Sequence, residues 1–183
     1  MDTLYSSISK IRRKNAVDYR YFIPSHRVRE VMTSESVRKV LLDSQMEIYH
    51  VNEAVEIIKN GAWNVFAILV LIRQPRSIIS FIKDDRMQRG PIDHHLPFEL
   101  IKLKELLDEM VAQDFHDKQW EFTAPSFSGS VFTRILPDDF VLPFLSDEEF
   151  GEGSFGAVHR IEVEHSYQQF GRETYHEASY RTL

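Results

Sequence analysis

Apolar residues recur at helical spacing from residue 28 to about residue 118. In the first part of this region they are three or four positions apart, which is typical of amphipathic α-helices. A Thr- and Ser-rich run at 33–36 marks a break or a new N-cap. The segment 51–59 places its apolar residues on one face, and Gly61 follows it where a helical C-cap is expected. This part of the chain predicts a bundle of helices.

The most apolar stretch is AWNVFAILVLIRQP, residues 62–75. It is apolar nearly all round, as expected of a helix at the centre of a bundle. Its β-branched residues leave a central strand as the alternative. Pro75 ends the stretch and also suits the start of the next helix, RSIISFIKDD.

Residues 98–118 predict one long amphipathic helix, with charged residues opposite its apolar stripe. The stripe is formed by Leu100, Leu103, Leu106, Leu107, Met110 and Val111. Most simply this stripe belongs to the core, and docking of a protein partner is the alternative. The preceding Asp93-His94-His95 contains metal-binding residue types, but no second ligand cluster accompanies it. We therefore expect a solvated loop there and no metal site.

After residue 118 the pattern changes, because lysine disappears and Gly, Pro, Ser and Phe become frequent. Three prolines exclude a long helix, so residues 119–145 predict an extended linker. The aromatic side chains of this linker are too apolar to remain in water and should pack on the helices. They are Trp120, Phe122, Phe127 and Phe132.

Strict alternation follows from Ala157. His159, Ile161 and Val163 share one face, and the charged residues between them share the other, as in a half-buried strand. With the strand-like residues before it, this segment predicts a short antiparallel β-hairpin.

The chain is therefore predicted to be mainly α, with a helical N-terminal bundle, an extended aromatic linker and a short antiparallel β-hairpin. Residues 1–27 are expected to be a partly disordered N-terminal segment and 28–118 the helical module. The linker covers 119–145, the glycine-rich hairpin 146–166, and a tail 167–183.

The hairpin contains FGEGSFGAV, residues 150–158, with three glycines in the pattern G-x-G-x-x-G. In a Rossmann site the third glycine opens a helix. Here a strand follows Gly156, which disfavours that interpretation. A flap between two strands, with a valine two positions after the last glycine, is the alternative.

FGEGSFGAV resembles the glycine-rich loop of eukaryotic protein kinases. The upstream text, including KQWEFTAPSFS and VLPFLSDEE, is similar to a group of fungal kinase-like proteins with a helical N-terminal region. The resemblance extends over residues 28–166, but its specific motif is confined to residues 150–158. It implies ATP-dependent Ser/Thr phosphorylation as the family activity and Mg-ATP as the ligand.

The resemblance also implies roles for individual residues. The phosphate-covering loop would consist of Gly151, Gly153, Ser154, Phe155 and Gly156. Phe150 and Val158 would be the walls of the adenine pocket.

The other kinase motifs do not occur. There is no lysine after Lys118, no His-Arg-Asp and no Asp-Phe-Gly, and phosphoryl transfer depends on those groups. We therefore expect a truncated kinase-like chain that is catalytically inactive by itself. The alternative is a non-enzymatic helical interaction module with a vestigial glycine hairpin.

The composition limits the kinds of partner and the cellular location that we expect for this chain. The 183 residues have a net charge of −6 and a pI near 5.7, which argues against nucleic acid as the main partner. Cysteine is absent, which excludes disulfides and thiolate metal sites. The N-terminus lacks the apolar core of a signal peptide, and the apolar run 62–72 is about half of a membrane span. We expect a soluble intracellular protein, cytoplasmic or nuclear, that binds protein partners through its helices and no membrane.

Overall fold

The computed structural model describes residues 2–87, 90–128, 135–153 and 156–169. Within these ranges, helices dominate, and the mainly α prediction is confirmed. The helices are α1 (Asp2–Lys10), α2 (Ser25–Val31), α3 (Ser34–Asp43), α4 (Ile48–Lys59), α5 (Trp63–Leu71), α6 (Ile78–Lys83), α7 (Leu100–Leu106) and α8 (Glu109–Gln119).

The helix α5 is the centre of the fold. Every side chain from Val65 to Leu71 is buried. Five helices (α1, α2, α4, α6 and α8) pack around it, so no side of α5 is left for water. A sequence that is apolar all round is stable in such a position. The helical interpretation of residues 62–75 is confirmed, and the strand alternative is wrong.

The start of α5 is capped by a distant side chain. Its own N-cap residue is Ala62, which has no capping group. Asp93, in the 3-10 helix Ile92–His95, supplies both acceptors: Oδ2 accepts from the backbone N–H of Asn64 at 3.0 Å and Oδ1 from that of Val65 at 2.9 Å. Burial raises the pKa of the Asp93 carboxyl, although these N–H bonds oppose the shift. The expectation of a solvated loop is therefore wrong for Asp93.

Replacing Asp93 with alanine is expected to lower the free energy of unfolding by about 1–2 kcal/mol, as for other lost N-caps. The physical reason is that two backbone N–H groups at the start of a buried helix lose their acceptors. Asp93→Asn keeps one acceptor oxygen and should lose less. Urea unfolding of the three proteins measures both changes.

The pH dependence provides a check on this cap. Because the pKa of Asp93 is higher in the folded chain than its ordinary 3.8, the folded state holds its proton longer than the unfolded state. Stability from this group should therefore fall as pH rises from about 3.8 through the raised pKa. Asp93→Asn should remove that dependence, and a variant with an unchanged pH profile would contradict the assignment.

Residues 98–118 form two helices, so the prediction of one long helix is wrong. Leu107 has an extended backbone, with φ −131° and ψ 158°, and Asp108 is the N-cap of α8. The break changes which side chains reach the core. Met110 of the predicted stripe is 80% exposed, whereas Phe115 is fully buried.

The N-terminal residues belong to the helical module. Leu4 and Ile8 of α1 are buried in the main core together with Ile11, and α1 packs on α5. The spacing of these residues gives a short helix one apolar face, which burial stabilises. The prediction of partial disorder for residues 1–27 does not hold for residues 2–27.

Six short strands pair in twos within the described ranges. Antiparallel pairs join β1 (Arg13–Lys14) to β2 (Tyr21–Phe22) and β4 (Phe144–Gly153) to β5 (Gly156–Val163). A parallel pair joins β3 (Phe127–Ser128) to β6 (Gln168–Gln169).

Of the described linker aromatics, Phe122 packs in the helical core as predicted, whereas Trp120 and Phe127 pack elsewhere. Phe122 is buried in the main core, and Trp120 contacts a second, smaller core. Phe127 lies against Phe144, with ring centroids 5.6 Å apart. Phe132 lies outside the described residues. The first linker residues continue α8 as a 3-10 turn, so the linker is not extended throughout.

Among the described residues, no single helix is long and apolar enough to cross a membrane. The helices α4 and α5 satisfy that test only as a pair, and they are bent by 119° relative to each other.

Candidate functional site: the glycine-rich hairpin

The strands β4 and β5 form the hairpin that contains the glycine motif, as predicted for residues 146–166. Gly153 and Gly156 form the last pair before the turn. Two residues of the predicted phosphate loop, Ser154 and Phe155, lie outside the described residues.

The glycines differ in what requires them. Gly156 has a φ of +133°, which residues with a side chain rarely adopt, so its backbone conformation explains the glycine. Gly151 pairs with Val158 inside the hairpin and has no such φ. Apart from its two chain neighbours, no atom of the described residues lies within 4 Å of a Cβ added to Gly151. Neither the backbone conformation nor packing within the described residues requires glycine at position 151. Because glycine has no side chain, the space above the strand at this position is open.

Phe150 and Val158 lie on the same face of the hairpin. Alternation along β5 puts Val158 and Arg160 on one face. The Arg160 guanidinium lies 4.7 Å from the centroid of the Phe150 ring, which places Phe150 on that face as well. A bulge between Glu149 and Gly151 interrupts the pairing at Phe150. The two predicted adenine-pocket residues are thus brought to one side, and Phe150 is 59% exposed.

Arg160 is a neighbour of this site to which the kinase resemblance assigns no role. It is exposed, and its guanidinium covers one face of the Phe150 ring. The sequence offers one pointer to it, since Arg160 is the only Lys or Arg between residues 135 and 171.

The opposite face of β5 is half-buried, as the alternation predicts. His159, Ile161 and Val163 are all partly buried on it. The Nδ1 atom of His159 lies 2.8 Å from Oδ1 of Asp147 on the facing strand. This face is the one turned toward the rest of the chain, and the Phe150 face is turned away.

Apart from Arg160 and the histidine, the ionisable residues of the two strands are acidic. They are Asp147, Glu148, Glu149, Glu152 and Glu162. Such a surface repels free polyanions.

The base of the hairpin is fixed to the helical module. The hydroxyl of Tyr167 donates to the backbone carbonyl of Ile23 at 2.9 Å, and the Tyr167 ring packs edge-on against Phe22. Burial is the main cause that raises the pKa of this hydroxyl, so it keeps its proton and remains a donor. The backbone N–H of Ala16 donates to Phe144 at 2.9 Å. These contacts attach the hairpin to the N-terminal part of the chain at its base.

No metal centre accompanies the hairpin within the described part of the chain, where no three His, Asp or Glu side chains are grouped closely enough to hold an ion. His94 and His95 are exposed. His165 lies in a 3-10 turn after β5, and His176 lies outside the described residues.

No protein-family model, curated protein or solved structure matches this chain. The kinase resemblance therefore stays a prediction.

Proposed function

We propose that this chain is a kinase-like protein whose β4–β5 hairpin covers the phosphates of a bound adenine nucleotide. The helical module holds the hairpin at its base, and the Phe150 face provides the contact with the base of the nucleotide. The proposal concerns nucleotide binding. The 183 residues contain no lysine after Lys118, no His-Arg-Asp and no Asp-Phe-Gly, so phosphoryl transfer is not proposed for them.

The observation that supports this proposal best is the open space at Gly151. Glycine in a strand interior costs roughly 0.5–1 kcal/mol relative to alanine. At Gly151, no described residue beyond its chain neighbours takes up the space that the missing side chain leaves. Close approach of a ligand to the backbone is one use of such a glycine, and backbone N–H groups can then reach phosphate oxygens.

The arrangement of apolar groups fits the same ligand. Phe150 and Val158 lie on the face that Gly151 opens, since Gly151 and Val158 are paired and paired residues share a face. An adenine ring between two apolar side chains would place its phosphates toward the turn. Because the strands are acidic, we propose the Mg²⁺ complex of ATP, rather than free ATP, as the ligand.

A Gly151→Val variant is expected to lose Mg-ATP binding while it stays folded. Valine suits a strand and would occupy the open space next to Val158. Isothermal titration with Mg-ATP should show binding to the wild type, at least tenfold weaker binding to the variant, and weaker binding of ATP when EDTA removes the magnesium.

Ala157→Val is the matched control, because alternation puts residue 157 on the opposite face of the same strand pair. This variant should bind Mg-ATP like the wild type. Equal binding by all three proteins would refute the hairpin as the site. Absence of binding, and of any thermal shift with Mg-ATP, in a folded wild-type chain would refute the proposed function itself.

A non-enzymatic interaction module is the second candidate. It is favoured by exposed apolar side chains on the helices, since Ile101 of α7 and Met110 of α8 are both more than two-thirds exposed. A folded chain that shows no binding of ATP at any magnesium concentration would favour this candidate over nucleotide binding.

A further inference from the structure

The positive charge of this acidic chain is concentrated in one segment. Residues 10–29 contain seven Lys or Arg and a single acid, Asp18, whereas the whole chain has a net charge of −6. A ligand at the surface responds to charges within about one Debye length, roughly 10 Å at 0.1 M salt. The net charge that argues against nucleic acid therefore does not describe this segment.

Within the segment, cations and aromatic rings alternate in space. The Arg12 guanidinium lies 3.9 Å from the centroid of the Tyr21 ring, and Lys14 Nζ lies 5.9 Å from the centroids of both Tyr21 and Tyr19. The pairing of Lys14 with Tyr21 across β1 and β2 explains part of this order. We call these four residues the tyrosine–cation ladder.

The ladder is held open to solvent by a structured turn. Tyr19 has a φ of +60°, a conformation uncommon for residues other than glycine, and its side chain is 68% exposed. Asn15, which is almost fully buried, fixes the turn: its Oδ1 accepts from the N–H of Val17 and its carbonyl from that of Tyr19. The exposed position of the Tyr19 ring is therefore fixed by a hydrogen-bonded turn.

The cations of the ladder differ in availability. Arg12 is engaged by Glu121 at 2.6 Å. Lys14 and its neighbour Arg13 are both exposed, and no ion pair joins either of them to a residue in the described ranges. Lys14 can therefore neutralise an external anion without giving up an internal ion pair.

We propose that the tyrosine–cation ladder binds single-stranded nucleic acid. An unpaired base would stack on the exposed ring of Tyr19, and Lys14 and Arg13 would contact phosphates, which is the combination that single-strand binding surfaces use. An acidic peptide would use the cations but not the ring faces. A membrane surface would favour a more apolar tip than tyrosine beside lysine.

Fluorescence anisotropy with a labelled twelve-nucleotide oligo-dT, at 50 mM salt, tests this. The wild-type chain should bind it, and more weakly as salt rises. Lys14→Glu should weaken binding at least tenfold, while Lys102→Glu, the same change at an exposed lysine of α7, should change it less than twofold. Tyr19→Ala should weaken binding about five- to a hundredfold, as expected for the loss of one stacked base.

Several results would overturn the proposal. For the variants, they are equal effects of Lys14→Glu and Lys102→Glu, or an unchanged affinity of Tyr19→Ala. For the wild type, they are no binding to the oligonucleotide, equal affinity for a duplex of the same length, or binding to phosphatidylserine vesicles without binding to the oligonucleotide. Circular dichroism checks that each variant is folded. Lys14→Gln, which removes the charge without reversing it, is the second variant should Lys14→Glu not fold.

Discussion

Replacing Gly61 with alanine should destabilise the chain by about 2–5 kcal/mol. An added Cβ would lie 2.4 Å from Cβ and 2.9 Å from Cα of Pro91, closer than real contacts. Overpacking of this kind costs about 1–3 kcal/mol, and the φ of +135° adds strain of a similar order. The backbone at Gly61 cannot easily move away from Pro91, because the Gly61 carbonyl accepts a hydrogen bond from the N–H of Asp93 at 2.8 Å. Asp93 is the residue that caps α5. Guanidinium unfolding measures the loss.

Two other glycines separate the contributions. Gly156 has nearly the same φ, +133°, but no described residue beyond its chain neighbours lies within 4 Å of a Cβ there, so Gly156→Ala reports backbone strain alone. Gly151→Ala has neither strain nor contact and should be close to neutral or slightly stabilising. If Gly61→Ala were no more costly than Gly156→Ala, the contact with Pro91 would not be the cause.

Glu121→Gln is expected to lower the free energy of unfolding by about 2–4 kcal/mol. Glu121 is 9% exposed, and its Oε1 accepts from Arg12 at 2.6 Å and from Lys118 at 3.0 Å. Removing its charge leaves a partly buried guanidinium without a counter-ion, which is the costly way to break a buried ion pair. The loss is smaller than for a fully buried pair because both cations keep some contact with water. Thermal or urea unfolding measures it.

Glu105→Gln is the matched control. Glu105 accepts from Arg86 at 2.7 Å, about the same distance, but both side chains are more than half exposed. Exposed pairs contribute about 0–1 kcal/mol, so this variant should be nearly as stable as the wild type. Similar losses for the two variants would show that burial is not what makes Glu121 important.

The sequence predicts the helical core well because a segment made almost entirely of apolar residues must be buried. α5 could be placed from its all-round apolar residues, since only a surrounded helix tolerates them. The alternation around Ile161 likewise predicts which face of β5 is half-buried. Both features depend on neighbours in the sequence alone.

Features that depend on distant residues could not be predicted. Asp93 caps a helix that begins about thirty positions earlier, and no local sequence pattern predicts a partner that far away. The break at Leu107 was hidden because apolar residues continue across it, although Asp108 is a residue type that favours N-caps. The N-terminal helix α1 was missed because nine residues give little periodicity.

The candidate site was predicted in part. The glycine motif predicts the hairpin, and the described strands bring Phe150 and Val158, the two residues assigned to the adenine pocket by resemblance, to one side. Arg160 was missed because its importance depends on contact with Phe150 across a bulge. The ladder was missed because the contacts of its cations with the tyrosine rings depend on the pairing of β1 with β2.

The attachment of the hairpin through Tyr167 and Ile23 has a consequence for the order of folding. These two residues are 144 positions apart in the chain, and closing a loop of that length costs about 4 kcal/mol in chain entropy. The small core around Phe22 and Tyr167 must offset that loss, whereas neighbouring helices such as α7 and α8 close only short loops. We therefore expect the hairpin to dock after the helices have assembled and to open while α5 and its neighbours stay folded, which native-state hydrogen exchange would detect as faster exchange in β5 than in α5.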